Sequence, residues 1–429
     1  MLRSARRSRG SGRNVATLVV MLLALVSCGD DGPQGARVET TADQFVARAS
    51  PATVWARDRL FVYGGTDRPE YVETSPDEGG SQASPDSAVD STAAPEEVDV
   101  PLGDAALIDP ASGELEVLPP PPFEAPLQVL APAVVVGDTV VLMGILCPAP
   151  IPDDSSGNCE PGSYAAATMS LADRTWRPLE VPAGLETVRN GHRTAVGATS
   201  DGRAVFVLGR KTTDVGGEEL WSYDPETDTW AELPNPGVRI DGLCMADDTV
   251  VALTGSVSQD GEVAGEDQPA PGGAEDFQAP SLRLFNLDAA DAEWTATPGA
   301  EVEPQTYVPQ PLLACAGSDA VIHNGVGGEL RVHSLTPGAE QEPWRLASQK
   351  PADGLYSSLL WTGSELLFLN PSDTIDEAPD LAYDVAADKW RVLEVDVNPG
   401  VTPLWTGSAV TGWPESGRPT RPYYDEIGS

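Results

Sequence analysis

Leu360-Trp361-Thr362-Gly363-Ser364 recurs unchanged as Leu404-Trp405-Thr406-Gly407-Ser408, 44 residues further along the chain. A weaker version stands near the start, at Val54-Trp55-Ala56-Arg57-Asp58. Apolar residues running into a small polar turn, repeated at a period of roughly 40–50 residues, mark a solenoid, a propeller or an array.

Working outward from these copies, a hairpin of two apolar strands reads seven times. The copies are Thr53–Gly65, Leu130–Gly144, Arg193–Gly209, Leu243–Gly255, Leu312–Gly325, Ser358–Asn370 and Pro403–Gly412. Their turns are Arg57-Asp58, Gly137-Asp138, Asp201-Gly202, Asp247-Asp248, Gly317-Ser318, Gly363-Ser364 and Gly407-Ser408, all of hairpin-turn composition. A second strand pair carries its own mark. Tyr223-Asp224-Pro225 begins seven residues before Trp230, Tyr383-Asp384 seven before Trp390, and Met169 seven before Trp176. Ile108-Asp109-Pro110 with Leu115 is a degenerate copy, while Phe285 to Trp294 and Val332 to Trp344 have longer turns. The aspartate is expected to cap the turn through its side chain, and the ring pair to pack across the hairpin onto a neighbouring sheet.

At these residues the chain resembles the Kelch repeat, as in Kelch proteins and the central domain of galactose oxidase. The family pattern is a glycine pair ending the second strand, then a tyrosine, then a tryptophan. Tyr63-Gly64-Gly65, Tyr223 with Trp230, and Tyr383 with Trp390 match it, and Arg189 and His192 match the pair that often opens a unit. The resemblance covers roughly residues 50–425 and departs at the glycine pair, which survives only in the first unit. Together with the seven hairpins it implies an all-β fold, a seven-bladed β-propeller of Kelch-like four-stranded blades, with six blades as the alternative. The last unit is short: after Trp413 only Tyr423-Tyr424-Asp425 remains, enough for a third strand but not a fourth. A ring must hide its edges, so the segment Arg37–Val46 is expected to supply the missing outer strand and close the ring from the N-terminal side.

The first residues read as an address. Arg3, Arg6, Arg7, Arg9 and Arg13 precede an uncharged run of twelve residues, Val15 to Val26. That is the length of a signal-peptide core, whereas a membrane-spanning helix needs about 20. Leu25-Val26-Ser27-Cys28 resembles the bacterial lipoprotein box, which implies cleavage before Cys28 and a diacylglycerol on its sulfur. The expected organisation is a signal peptide over residues 1–27, a lipid-anchored tether over 28–50 that includes the closing strand, and the propeller over 51–429. The expected location is the bacterial cell membrane, facing the extracytoplasmic side, with the lipid as the sole membrane contact.

Without the five leader arginines, 21 basic side chains face 66 acidic ones, a net charge near −45 (21 − 66). Such a field excludes nucleic acid and anionic lipid surfaces as partners. The acid is concentrated in four insertions, 66–100, 147–163, 256–279 and 370–380, which hold 23 acidic residues and one basic residue, Arg68. All four fall between the second and third strands of a unit, the position that exits on the same end as the links between units. Functional residues favour such loops; solvated low-complexity chain is the plainer reading. No spaced aspartate run of the calcium-loop kind occurs in them.

Four cysteines remain after Cys28, an even number for an oxidising compartment. Cys147 and Cys159 bracket a short Pro/Asp/Ser/Gly loop and are expected to bridge. Cys244 and Cys315, assigned a shared register in units four and five, read either as two buried thiols or as a bridge between adjacent inner strands. Trp55, Trp361 and Trp405 read as packing between blades or as an aromatic wall for a sugar or peptide. His323 and His333 flank one hairpin and are read as able to face each other, a pair too small for a metal site on its own.

The galactose oxidase resemblance implies copper held by two histidines and two tyrosines, one of them crosslinked to cysteine. No constellation here matches those ligands, so no catalytic, cofactor-binding or metal-ligating residue is assigned. There is no Gly-x-Ser-x-Gly elbow and no sialidase Asp-box with its arginine triad. Arg189, His192, Arg239 and Asp241 precede or open inner strands and form the candidate ligand mouth. The first functional reading is a non-catalytic propeller that binds a protein or glycan partner on its loop-rich face. The alternative is a carbohydrate-active propeller enzyme, a hydrolase or lyase, working at the central mouth with Arg189, Arg239 and carboxylates.

Overall fold

The structure, a computed structural model, describes residues 48, 51–67, 100–129, 133–146, 163–182, 197–199, 202–210, 218–238, 240–254, 280–289, 292–300, 312–323, 328–336, 338–352, 356, 358–370, 379–393, 402–413 and 423–427. Among them every regular element is a β-strand. The strands form consecutive antiparallel sheets in chain order. Sheet 1 holds Ala52–Ala56, Arg59–Tyr63, Ala105–Ile108 and Leu115–Val117. In sheet 2, Leu127–Val129 and Val134–Val136 both pair with Thr139–Leu146, followed by Tyr164–Ser170 and Thr175–Leu179. Sheet 3 holds Gly197–Thr199, Ala204–Arg210, Glu218–Asp224 and Thr229–Leu233; sheet 4 holds Ile240–Ala246, Thr249–Thr254, Ser281–Asn286 and Thr295–Ala296. Sheet 5 holds Leu312–Ala316, Asp319–His323, Leu330–Ser334 and Arg345–Leu346; sheet 6 holds Ser358–Trp361, Leu366–Leu369, Leu381–Asp384 and Lys389–Val392. Sheet 7 has three described strands, Leu404–Trp405, Ala409–Gly412 and Tyr423–Glu426.

Apolar runs without alternation form the second strands because both faces of each sheet are covered. In Leu60-Phe61-Val62-Tyr63, Leu60 and Val62 pack with Trp413 of sheet 7, while Phe61 and Tyr63 pack with Val140 and Leu142 of sheet 2. The same parity divides Val250 and Ala252, towards sheet 3, from Val251 and Leu253, towards sheet 5. Likewise Leu366 and Phe368 face sheet 5, and Leu367 and Leu369 face sheet 7. The described core is thus a series of slabs between successive sheets, and one slab joins the last sheet to the first. First strands of successive sheets lie side by side, and that of sheet 1 also touches that of sheet 7. This construction is consistent with a propeller.

The repeated Leu-Trp-Thr-Gly-Ser stretch now has a local cause. Thr362 Oγ1 accepts the amides of Ser364 at 3.3 Å and Glu365 at 2.9 Å, and Thr406 Oγ1 accepts those of Ser408 at 3.4 Å and Ala409 at 2.9 Å. Gly363 and Gly407 supply the left-handed residue, at φ 96° and 101°. In the second strand pairs, Asp224 Oδ1 accepts the amide of Glu226 at 2.8 Å and Asp384 Oδ1 that of Ala387 at 2.8 Å. The ring pairs stack, Tyr223 on Trp230 at 4.9 Å and Tyr383 on Trp390 at 4.6 Å. The outer-strand indoles then reach back one sheet: Trp176 donates to Pro119 O, Trp294 to Pro234 O, Trp344 to Pro298 O and Trp390 to Ser348 O.

Trp55, Trp361 and Trp405 belong to three different slabs, each facing the preceding sheet, so of their two readings packing between sheets holds and the aromatic wall does not. Other sequence expectations change. The residue opposite Trp344 is His333, not Val332, which pairs with Arg345. His323 and His333 do not face each other. His323 pairs with Leu330 and His333 with Ala320, three positions apart, so they project from opposite faces of sheet 5.

Candidate functional site

The end of the sheets where second strands finish and third strands begin is the one from which the insertions leave. Each insertion is stitched at its foot. Thr66–Asp67 pairs with Val100–Pro101 as a short ribbon beneath the first. Leu146 N donates to Ser163 O at 3.0 Å beneath the second. Thr254 Oγ1 lies 3.2 Å from Ser281 O and 3.1 Å from Ser281 Oγ beneath the third, and Asn370 N donates to Asp380 Oδ1 at 2.8 Å beneath the fourth. Loop length varies without disturbing the sheets because each excursion starts and ends on a closed hydrogen-bonded rung.

Among the described residues buried at this end, two groups centre on Arg48 and His323. The Arg48 side chain is fully buried; it makes a bidentate pair with Asp104 at 2.7 and 3.0 Å and donates to Gly64 O at 2.9 Å. Its carbonyl accepts from the indole of Trp413 at 3.2 Å, so one residue joins sheets 1 and 7. The second group centres on His323, the last residue of its strand, at the position Tyr63 occupies in sheet 1. Tyr63 Oη accepts the amide of Leu127 at 3.0 Å, and burial holds its hydroxyl well above the usual phenol range. His323 stands edge-on to Tyr356 and Phe368, with Lys350 Nζ 3.3 Å from Nε2 and Nδ1 without a partner among the described residues. Burial, with the Lys350 charge adding to it, pulls its pKa down to about 3. Arg48, Asp104 and the Lys350–His323 pair escaped sequence reasoning: nothing in a lone arginine or lysine marks which carbonyl or ring it meets.

Of the residues singled out from the sequence, Cys28, Cys147, Cys159, Arg189, His192, Arg239 and the closing segment Arg37–Val46 lie outside the described residues. Asp241 is described in its backbone, as the extra residue of a bulge between Ile240 and Gly242. Cys244 and Cys315 are joined by a disulfide with Cα atoms 5.7 Å apart. Their shared register is corrected. Cys244 stands three pairs from its turn, opposite Val251, and Cys315 two pairs from its turn, opposite Ala320. Side chains alternate faces along a strand, so the offset of one turns Cys244 forward and Cys315 back, towards each other.

No cluster of three or more histidine, cysteine, aspartate or glutamate side chains able to hold a metal ion occurs among the described residues. The two described histidines point into different slabs, so the donor set implied by the galactose oxidase resemblance is not assembled by them.

All-β, with consecutive antiparallel sheets, most of them four-stranded, packed face to face, the described chain is consistent with a propeller. No protein-family model matches the sequence, and no curated protein does. Among solved structures, it is similar to a fungal alcohol oxidase of the AA5 family in complex with copper, at 10% identity and a TM-score of 0.50, covering 89% of this chain and 74% of that one. It also matches the structure of YjhT at 10% identity and a TM-score of 0.43, covering 81% of this chain and 97% of that one. At such identity the likeness to the oxidase is one of fold alone.

Proposed function

We propose that the chain is an extracytoplasmic lipoprotein, anchored through Cys28, whose seven sheets form a ring that binds a protein or glycan on its loop-rich end without catalysis. The ring closes when the segment Arg37–Val46 adds a fourth strand beside Tyr423–Glu426. The position of Arg48, two residues beyond that segment and held by both sheet 1 and Trp413, supports this reading.

One observation carries the binding reading: all four acidic insertions rise from one end of the sheets, each on a hydrogen-bonded foot. A rigid platform carrying long loops is the arrangement by which binding scaffolds present variable surface. The test is crosslinking and pull-down from intact cells, comparing the full chain with variants lacking residues 68–99 or 257–278. Partners lost from either variant, with melting temperature retained, support the reading. An unchanged partner set overturns it. Glycan turnover by the purified protein, abolished by Arg239→Ala, would replace it with the carbohydrate-active alternative.

A further inference from the structure

We infer that the Cys244–Cys315 disulfide is a reducible latch between sheets 4 and 5, standing in for the charged tie that fastens neighbouring junctions. Arg57 pairs with Asp138 and Arg174 with Glu116 between sheets 1 and 2, and Arg203 with Asp288 between sheets 3 and 4. Between sheets 2 and 3, Arg177 joins Asp228 and also donates to Tyr223 Oη at 3.1 Å. Between sheets 5 and 6 the same trio recurs, with Arg345 on Asp388 at 3.2 Å and on Tyr383 Oη at 3.2 Å. The arginine follows the outer-strand tryptophan, and the tyrosine and aspartate belong to the next sheet.

Sheets 4 and 5 have lost both halves of that trio. Thr295 follows Trp294 where an arginine would stand, and His333 fills the tyrosine position, stacked on Trp344 at 5.0 Å. Among the described residues neither ring nitrogen of His333, only 1% exposed, has a partner, and Arg331 Nε on the same face has none. No ion pair joins these two sheets among the described residues. What remains beside the apolar slab is Trp344 Nε1 to Pro298 O at 2.7 Å and Gln341 Nε2 to Ala296 O at 3.0 Å, both near the outer strands. The inner strands are held by the disulfide and by the apolar side chains packed beside it, Leu313 among them. Sheets 6 and 7 share no described ion pair either, but their slab holds no unpartnered buried polar group among the described residues.

Both cysteines are partly exposed, so a thiolate can reach the bond. A dithiol attacks one sulfur, releases the other as a thiol and is then displaced as its own cyclic disulfide. Two electrons and two protons pass to Cys244 and Cys315, and the dithiol is oxidised. Reduction frees Ile240–Ala246 from Leu312–Ala316 while leaving the ion-paired junctions shut.

The experiment is hydrogen exchange followed by mass spectrometry on the full chain, with and without dithiothreitol under native conditions. Backbone amides of Ile240–Ala246 and Leu312–Ala316 are expected to exchange at least about tenfold faster after reduction. Those of Val134–Val136 and Ser358–Trp361 should be unchanged, and reoxidation should restore the pattern. The Cys244→Ser/Cys315→Ser variant should show the reduced pattern at once and give no further response in those strands. Unchanged exchange on reduction, loosening spread evenly over all sheets, or a response persisting in the double variant would each overturn the latch. Reduction of the folded native chain decides the matter even if the variant fails to fold.

Discussion

Gly144 shows how one missing methyl group can be required by a fold. It lies opposite both Ala165 and Val129, where the extra strand Leu127–Val129 crowds against Thr139–Leu146. A Cβ there would fall 2.1 Å from Gln128 O and 2.8 Å from Gln128 C, both backbone atoms that cannot swing aside. Gly144→Ala is therefore expected to destabilise by about 3 kcal/mol, near the upper range for overpacking. Gly113→Ala meets nothing within 4 Å but keeps φ at 75°, so it should cost about 1 kcal/mol; urea melts of the two variants check the order. His323 gives a pH-dependent counterpart. Its pKa falls from 6.5 to about 3 on folding, chiefly through burial. Above pH 6.5 the ring is neutral folded and unfolded, and nothing is lost. Between about 6.5 and 3 the unfolded chain binds a proton that the folded chain refuses, so stability drops as pH falls, by about 1.4 kcal/mol per pH unit. His333, also held low by burial, acts in the same direction. His323→Tyr, which copies Tyr63 at the equivalent position, should flatten the stability–pH slope between pH 6 and 4 by about one proton; an unchanged slope would show that His323 does not titrate on unfolding.

At the scale of elements, spacing was enough to place the strands but not their faces. The seven turns and the tyrosine-to-tryptophan interval located first-to-second and third-to-fourth strand pairs because both are local: a turn residue with positive φ and an aspartate capping its own loop need no knowledge of the rest of the chain. The position of the insertions followed from the same count. Facing did not. A shared register for Cys244 and Cys315 would turn both forward and keep them apart; the offset of one depends on how each strand meets its turn. The parity of His323 and His333 likewise depends on the pairing across the intervening loop. Pairing between sheets was equally silent, which is why the Arg–Tyr–Asp trios appear only in three dimensions. Burial pushes the hydroxyls of Tyr223 and Tyr383 up to about 12, so both stay protonated and act as donors to Asp228 and Asp388. Tyr223→Phe and Tyr383→Phe should each destabilise by about 1.5–3 kcal/mol, the range for a hydrogen bond to a charged group. Because the trios lie at separate junctions, the double variant should show the sum within about 0.5 kcal/mol. A strongly non-additive result would mean that strain passes from junction to junction through the sheets between them.

For the whole molecule, the decisive question is how the last sheet is completed. Tyr423–Glu426 pairs with Ala409–Gly412 on one side, and a strand left bare on its other side presents a row of backbone donors and acceptors to any passing chain. The slab shared by Trp413, Leu404 and sheet 1 brings the two ends of the described chain together, and Arg48 is locked into that seam by Asp104, Gly64 and Trp413. Arg48 ties sheet 1 to Trp413 in either case, and a segment that continues from a fourth strand, as proposed above, would make it the clasp of the circle as well. A chain beginning at residue 48 should therefore behave differently from one beginning at residue 29. Without the intervening residues, amides of Tyr423–Glu426 should exchange at least about tenfold faster, those of sheets 3 and 4 should not change, and the shortened protein should self-associate through the exposed edge. Asp104→Asn, which keeps the strand but removes the charge facing Arg48, should loosen the same amides less. If the shortened chain protects Tyr423–Glu426 as well as the longer one, the N-terminal segment is only a tether, and the seam of Trp413, Arg48 and sheet 1 closes the molecule by itself.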